Sequence, residues 1–557
     1  MPEPSAEAPP PLAGATRRSG LLSATAVMAA GTGVSRVFGV VRVLLASAVF
    51  SQAGRRSDMF ALATSIPNAL YLLFAGGAVN QVLVPQIVRA IKNDPDGGEA
   101  YTNRVMTAFL LAIGALTVVV VAAAPLVTWV YVGDDWRTPE NAAHYTSIFA
   151  LTTLCLPQIF FYGAFFLGGQ VLNARGVFGP MMWAPVANNV VQIGVLGLYA
   201  FLWGFKQSVG DPFTPSQVLL LGLGSGAALI VQTAVLIPFM RRIGFHYRPR
   251  FDLRGAGLGH TFAIAKWTLL FVAAAQLWYV ILSRLASNGT AGNNGAGKMV
   301  YDNAYLIYVM PHSFVTISLG TALMSSLSVY AAQGQMADFA AELTHGIRLM
   351  STVIIPAAVL FLAVGLPLTG LPPMWRDDGA LTGWTLMALS LGLFPFSLAY
   401  LLQRAYFALE DNKSVFFQQL VITAVAIAGG TAAISFGHVG SAWVAPVLAL
   451  ANSVSYAVGL VWILIHSRHR IPSFRTGPIL GHAVRVFAAI VPGACLAWLI
   501  TSWQTRHLDG FAWDTAGLVA AIGVAGGVYL GLSKLLRLTE VSAAIGIVVR
   551  RLKPAKE

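Results

Sequence analysis

The sequence is dominated by apolar stretches that are each long enough to form a helix across a lipid bilayer. A spanning helix needs about 20 mostly apolar residues. Since the stretches have helix length and show no alternation at every second residue, they predict helices and not lipid-exposed strands. The fourteen predicted spans are 22–50, 59–89, 105–131, 145–170, 180–204, 217–240, 262–286, 301–327, 349–371, 381–405, 414–437, 442–466, 480–502 and 513–533.

Composition excludes several other classes of protein. Charged residues make up 10% of the 557 residues, whereas a soluble protein has about a quarter, so a water-soluble enzyme is excluded. The two cysteines, Cys155 and Cys495, are too few for a disulfide scaffold. The net charge of +13 is better explained by basic loops facing anionic membrane lipids than by nucleic acid. We therefore predict an all-α, polytopic integral membrane protein with lipids as partners and no nucleic acid.

The distribution of Lys and Arg predicts the orientation of the chain. With the N-terminus placed in the cytoplasm, 23 of the 35 basic residues fall in cytoplasmic segments and seven in outer loops. Such an excess is typical of the cytoplasmic side, so both termini are expected there. The remaining five lie within spans and are Arg36, Arg42, Lys266, Arg284 and Arg485.

Two halves of the chain share a spacing pattern. Pro67 and Pro311 are each followed by Gly nine residues on and by Ala eleven residues on, and spans 4 and 10 share a second pattern after Pro157 and Pro395. The corresponding spans of the two halves, 2 with 8 and 4 with 10, enter the membrane from the same side, which predicts two parallel six-helix repeats. The expected division is 1–20 disordered cytoplasmic tail, 21–240 first lobe, 241–258 cytoplasmic linker, 259–467 second lobe, 468–533 two further helices and 534–557 basic cytoplasmic tail.

Charges inside the spans are the candidate functional residues, because a charge in a bilayer is costly. Arg36 and Arg42 lie on span 1 about 120° apart around the helix, and an arginine fork binds phosphate. Both could instead snorkel or pair with structural acids. Gly39 between them allows close helix packing.

The other charged candidates have equally simple structural interpretations. Asp58 could pair with a span 1 arginine, gate the outer end, or favour the start of its helix. Lys266 could line a cavity, and Arg284 could snorkel or pair with Asp302.

Helix-breaking residues mark candidate hinge or packing positions. Pro67 and Pro311 are expected to kink their spans, Asn68 beside Pro67 is a further hinge or packing candidate, and Gly76 and Gly77 indicate close packing. No metal-spaced His/Cys set or catalytic cluster occurs in the sequence, so no metal or cofactor is expected.

Several stretches together resemble the bacterial lipid II flippase family (MurJ/MviN) of the multidrug/oligosaccharidyl-lipid/polysaccharide exporter superfamily. They are Ser35-Arg36-Val-Phe-Gly39-Val-Val-Arg42, Ser57-Asp58-Met-Phe-Ala61, Pro67-Asn68, Ala75-Gly-Gly77-Ala78-Val-Asn-Gln81, Val84-Pro85 and Phe407-Ala-Leu-Glu-Asp411-Asn-Lys413. The resemblance covers roughly 20–535.

The resemblance implies a function and a fold. It implies two six-helix lobes plus a final pair that helps form a groove for a lipid tail, and a non-enzymatic flippase for undecaprenyl-diphosphate-linked peptidoglycan precursor. By position, Arg36 and Arg42 match the family's cavity arginines, and Asp58 matches its acid near the start of span 2. Cell-wall synthesis or division proteins are further expected partners, and membrane potential or a monovalent cation gradient is expected to drive transport.

The sequence departs from the family pattern at several basic positions. An Arg-Arg pair and a Glu of the family are Tyr71, Leu72 and Gly76 here, and a span 8 arginine is Leu306. Either Lys266 or Arg284 compensates, or the chain carries another lipid-linked cargo. The alternatives are an exporter of another polyprenyl-linked glycan or a drug, a membrane glycosyltransferase or polymerase, and a cell-wall assembly scaffold.

Overall fold

The computed structural model describes residues 13–76, 78–206, 210–252, 258–292, 295–376, 378–437, 439–508 and 510–541. The described residues are mostly helical and contain no strand. A helix satisfies every backbone N–H and C=O group internally, which is why apolar spans adopt it in lipid. The all-α prediction is therefore confirmed.

The described residues of the first lobe form ten α-helices, in which three of the six spans run through two consecutive helices and span 2 continues across a π-helical turn. They are α1 (Ala13–Phe50), α2 (Arg55–Tyr71), α3 (Ala78–Asn93), α4 (Glu99–Ala122), α5 (Ala124–Tyr131), α6 (Ala142–Cys155), α7 (Gln158–Ala174), α8 (Gly179–Trp203), α9 (Pro215–Ala234) and α10 (Leu236–Arg242).

The second lobe and the final helix pair are likewise built of consecutive α-helices. Their helices are α11 (Leu258–Ala291), α12 (Lys298–Pro311), α13 (Ile317–Ala332), α14 (Met336–Gly370), α15 (Gly379–Ser390), α16 (Leu393–Ala408), α17 (Asn412–Phe436), α18 (Val444–Arg470), α19 (Thr476–His507) and α20 (Phe511–Leu535). The final pair packs on itself and on α14, where the Tyr529 hydroxyl donates to the Thr352 carbonyl at 2.8 Å.

The predicted spans correspond to helices, with two differences. Among the described residues, 12 helical segments are long and apolar enough to cross a membrane, and the pair α15–α16, bent by 47°, makes 13. The predicted span 59–89 is not among them; it is divided into α2, a π-helical turn at Leu72–Gly76, and α3. Residues 13–20 of the expected disordered tail are helical, because α1 begins at Ala13, beyond the N-terminal prolines.

The predicted repeat is accompanied by matching interruptions of the helices. Span 2 has its π-helical turn five residues after Pro67, and span 8 has one at His312–Thr316, directly after Pro311. Spans 4 and 10 are each broken close to their repeat prolines, at 156–157 and 391–392. Proline removes a backbone donor and clashes with the preceding turn, which explains breaks at these positions.

Of the predicted packing residues, Gly39 faces a neighbouring helix. A Cβ atom built on Gly39 would lie 3.9 Å from the Asn189 side chain of α8, which donates to the Ser35 carbonyl at 3.1 Å. Gly76 ends the π-helical turn, and Gly77 lies outside the described residues.

Hydrogen bonds between the two lobes cluster at one end of the bundle. We call this the sealed end; it is formed by residues 51–58, 129–141, 284–292, 295–300 and 378–382. The described part of the linker runs along α4 at the opposite end, where the Arg248 and Arg250 amides donate to Asn103 and Thr107, each at 2.9 Å.

Candidate functional site

A cavity of about 330 Å³ lies between the two lobes. The first lobe contributes Arg42 and a set of polar side chains, and the second lobe contributes residues of α11 and α12. Its polar lining residues are Arg42, Thr64, Ser65, Asn68, Gln158, Tyr162, Asn188, Gln192, Tyr279, Asp302 and Asn303. Asn68, predicted as a packing residue, is therefore exposed to this cavity.

Arg42 has no ion-pair partner among the described residues. A cation removed from water without a partner is costly. A guanidinium also presents a planar fork of donors that matches phosphate oxygens. The placement of Arg42 is thus suited to binding an anionic group that enters the cavity.

Arg36 lies one and two-thirds helical turns before Arg42 on α1, and its side chain contacts the second lobe. Its guanidinium carbon lies 5.1 Å from the centre of the Phe314 ring, in the π-helical turn of span 8. Both predicted arginines of span 1 therefore face the second lobe.

Asp58 lies at the sealed end, where its carboxylate is fully buried. It accepts hydrogen bonds from the Thr290 hydroxyl at 2.7 Å and from the Lys298 and Met299 amides at 2.9 and 2.7 Å. These two amides open α12, whose N-cap Gly297 provides no side-chain cap. An acid of the first lobe thus caps a helix of the second, where the helix dipole favours negative charge.

Other contacts close the same end. The Asn303 amide donates to Ser47 and Gln52, each at 3.2 Å, and the Thr382 hydroxyl donates to Gln52 at 2.7 Å. The Trp136 indole donates to the Ser287 carbonyl at 2.7 Å.

Arg284 also belongs to the sealed end and does not line the cavity. It donates to the Asp134 carboxylate at 2.8 Å and to the Trp129 carbonyl at 2.7 Å. The expected alternative of an Arg284–Asp302 pair is wrong, because Asp302 pairs with Lys298, four residues before it on α12. Residues at this spacing are neighbours on one helix face.

The Lys298–Asp302 pair joins the sealed end to the cavity. The Lys298 side chain is fully buried, its amide donates to Asp58, and its ammonium pairs with Asp302. The Asp302 side chain is 37% exposed and lines the cavity. Sequence analysis missed this pair, although its four-residue spacing was a usable signal.

Lys266 is exposed at the end opposite the sealed end, and it does not line the cavity between the lobes. Its ammonium lies 5.6 Å from the centre of the Trp267 ring. The five predicted binding residues therefore separate into Arg42 in the cavity, Arg36 against the second lobe, Asp58 and Arg284 at the sealed end, and Lys266 at the opposite end.

Two of the departures from the family pattern, Tyr71 and Leu306, lie at or beside the cavity. Tyr71 is buried and stacks on the cavity-lining Tyr162, with ring centres 5.8 Å apart, while Leu306 lines the cavity directly. Arg42 is therefore the one basic side chain among the described residues that line this cavity.

Similar chains and structures share this architecture. A "Probable lipid II flippase MurJ" of Vibrio cholerae is 25% identical over 543 residues, covering 94% of this chain and 98% of that protein. One of Haemophilus influenzae is 24% identical over 443 residues, covering 77% of this chain and 84% of that protein.

Solved structures agree on the fold. "Lipid II flippase MurJ, inward closed conformation" matches with a TM-score of 0.68 and 18% identity, over 91% of this chain and 98% of that one. An inward-facing multidrug resistance MATE transporter of the MOP superfamily matches with a TM-score of 0.57 and 12% identity, over 80% and 96%.

A protein-family model described as lipid II flippase MurJ matches residues 46–515, which is most of the chain. The matched region begins near the end of α1, covers the rest of both lobes and α19, and ends at the start of α20, so that Arg36 and Arg42 precede it. This multi-pass membrane protein therefore belongs to the lipid II flippase MurJ family.

Proposed function

We propose that the chain moves lipid II, the undecaprenyl-diphosphate-linked precursor of peptidoglycan, from the inner to the outer leaflet of the bacterial cytoplasmic membrane. The observation that carries this proposal is Arg42, an arginine without an ion-pair partner among the described residues, in a cavity between two lobes joined at one end. Two lobes around a central site are suited to alternating access. The arginine binds the diphosphate, and family membership supports the choice of cargo.

The distribution of basic residues supports an orientation for this cycle. With both termini in the cytoplasm, the sealed end faces outward and the cavity receives cargo from the cytoplasmic side. Release then requires that the contacts of Asp58 with α12 break and that equivalent contacts form at the other end. In this scheme Asp58 and Arg284 act as gate residues and not as ligands of the cargo.

The polyprenyl tail stays in the lipid phase beside the final helix pair. A second cavity of about 470 Å³ between α14, α15, α19 and α20 supports this placement. Its wall includes Leu362, Leu366, Trp384 and Trp498, which are suited to an isoprenoid chain.

Membrane potential is the driving force that we favour over a monovalent cation gradient. An anion moving outward across an inside-negative membrane gains about 2.3 kcal/mol per charge per 100 mV. In proteoliposomes, an imposed potential of about 100 mV is therefore expected to raise outward accumulation by about 50-fold per net charge moved. A sodium gradient without a potential serves as the comparison, and transport driven by sodium alone would contradict this coupling.

Complementation of a strain depleted of its lipid II flippase tests the proposed cargo. We expect the wild-type chain to restore growth and the translocation of lipid II to the outer leaflet. A stable, membrane-inserted chain that restores neither would contradict the proposal.

A different polyprenyl-linked glycan is the second candidate cargo. The observation that favours it is the reduced positive charge of the cavity, where Tyr71 and Leu306 occupy positions at which the family has arginine. Rescue of a strain lacking another glycan flippase, without rescue of the lipid II strain, would select this candidate. A scaffold that recruits cell-wall synthesis proteins would instead tolerate the loss of both Arg36 and Arg42.

A further inference from the structure

A pocket of about 260 Å³ lies inside the second lobe, between α11, α16, α17 and α18. It shares no lining residue with the cavity between the lobes. Its wall combines aromatic rings with polar side chains, among them Phe271, Tyr400, Gln403, Arg404, Phe407 and Gln419.

Arg404 supplies a positive charge to this pocket, and no ion pair with it occurs among the described residues. Its guanidinium donates to the Tyr400 hydroxyl at 2.6 Å and lies 4.7 Å from the centre of that ring. Its Nε atom is buried and has no hydrogen-bond partner. No carboxylate pairs with it in the part of the chain that the structure describes.

Of the two acids that follow Arg404 most closely in sequence, Glu410 is exposed and forms no ion pair among the described residues, and Asp411 is engaged elsewhere. Asp411 lies 3.2 Å from the Arg470 guanidinium, and its carboxylate accepts from the Ser414 amide at 3.1 Å as the N-cap of α17. Asp411 therefore has little capacity left to neutralise Arg404.

Two lysines add positive charge at the membrane-surface end of the same helices. The ammonium groups of Lys266 on α11 and Lys413 on α17 lie 5.6 and 5.8 Å from the centre of the Trp267 ring. Trp267 precedes the pocket residue Phe271 by about one helical turn. Both lysines are exposed and have no ion pair among the described residues.

We propose that this pocket is a second binding site, specific for the phosphate group of a lipid headgroup. The Arg404 guanidinium donates to phosphate oxygens, and the lysines add positive charge at the membrane surface. The aromatic wall contacts the first carbons of the lipid chain. Basic pockets between membrane helices on the cytoplasmic side bind phosphorylated headgroups in this way. The cytoplasmic placement of the pocket rests on the proposed function, and the ligand is either the diphosphate cargo before it reaches Arg42 or a membrane phospholipid.

Native mass spectrometry of the purified full-length protein tests the site. All measurements use an Arg42→Ala background, so that binding in the cavity between the lobes does not obscure the pocket. The protein is titrated with undecaprenyl diphosphate and, separately, with phosphatidylglycerol. Arg404→Gln is expected to weaken binding of at least one of these lipids by about tenfold or more, since hydrogen bonds to a charged group are lost. Arg404→Lys is expected to restore part of the affinity.

Arg485→Gln is the matched control, because Arg485 is an exposed arginine on α19 that, among the described residues, donates only to the Gly481 carbonyl of its own helix. It should change neither affinity. A loss confined to undecaprenyl diphosphate identifies a cargo entry site, and a loss that includes phosphatidylglycerol identifies a lipid headgroup site. Unchanged binding of both lipids by a stably folded Arg404→Gln protein would overturn the proposal. Because binding is measured without transport, this result is independent of the lipid II complementation test.

Discussion

Replacing Arg42 by alanine is expected to abolish flippase activity while leaving the folded protein intact. Arg42 is the one basic lining residue of the cavity among the described residues, and it has no ion-pair partner there. The alanine variant therefore loses no ion pair within the protein, and it no longer carries an unpaired charge inside the membrane. The diphosphate loses charge-assisted hydrogen bonds worth about 1.5–3 kcal/mol each. Complementation should fail, and thermal unfolding of the purified protein should be unchanged or occur at a higher temperature.

Two further variants show whether the guanidinium itself matters. Arg42→Lys keeps the charge without the planar fork, so partial activity is expected. Arg485→Ala removes an exposed arginine outside the cavity and should complement fully. Full complementation by Arg42→Ala at normal expression would show that the cargo is bound elsewhere.

Replacing Asp58 by asparagine is expected to open the sealed end. The carboxylate accepts three hydrogen bonds, two of them from the first amides of α12. An amide side chain replaces one acceptor oxygen by a donor and removes the charge that the helix N-terminus favours. A loss of about 3 kcal/mol would shift the ratio of closed to open molecules by about 100-fold.

Distances between spin labels at Glu140 and Ala380 would report this opening, since these exposed positions lie on different lobes at the sealed end. The exposed Cys495 is first replaced by alanine. We expect longer distances in the Asp58→Asn protein than in the wild type.

Two further substitutions test the Asp58 result, one as a second disruption of the same contact and one as a control. Gly297→Ala should act in the same direction, because a Cβ atom at this position would overlap the Asp58 carboxylate. The matched control is Asp514→Asn, whose carboxylate pairs with Arg376 at 3.0 Å away from the interface between the lobes. Identical distance distributions for Asp58→Asn and wild type would show that other contacts hold this end closed.

Much of the fold could be predicted from sequence, because membrane insertion depends on local properties. Length and hydropathy predicted helices at all fourteen spans, and the proline spacing predicted a repeat whose interruptions the structure places in spans 2 and 8 and in spans 4 and 10. The count of apolar spans differed at α2–α3, where a π-helical turn lies between helices of 17 and 16 residues.

The candidate site was predicted only in part. The intramembrane position of Arg42 identified it as a functional residue, since buried charge is costly wherever it lies. The same argument could not separate Arg42 from Arg284, because both are arginines within apolar runs. Only their surroundings differ: Arg284 has the Asp134 carboxylate and the Trp129 carbonyl as partners.

The sequence alone determined the membrane class, the helices and the arginines on span 1, because each depends on residues within one or two turns of a helix. The tertiary structure alone decided which charges are neutralised. Asp58 meets the start of α12 from 240 residues away, and the cavity around Arg42 is lined from both lobes. These contacts depend on how the two lobes meet, and no local pattern records that arrangement.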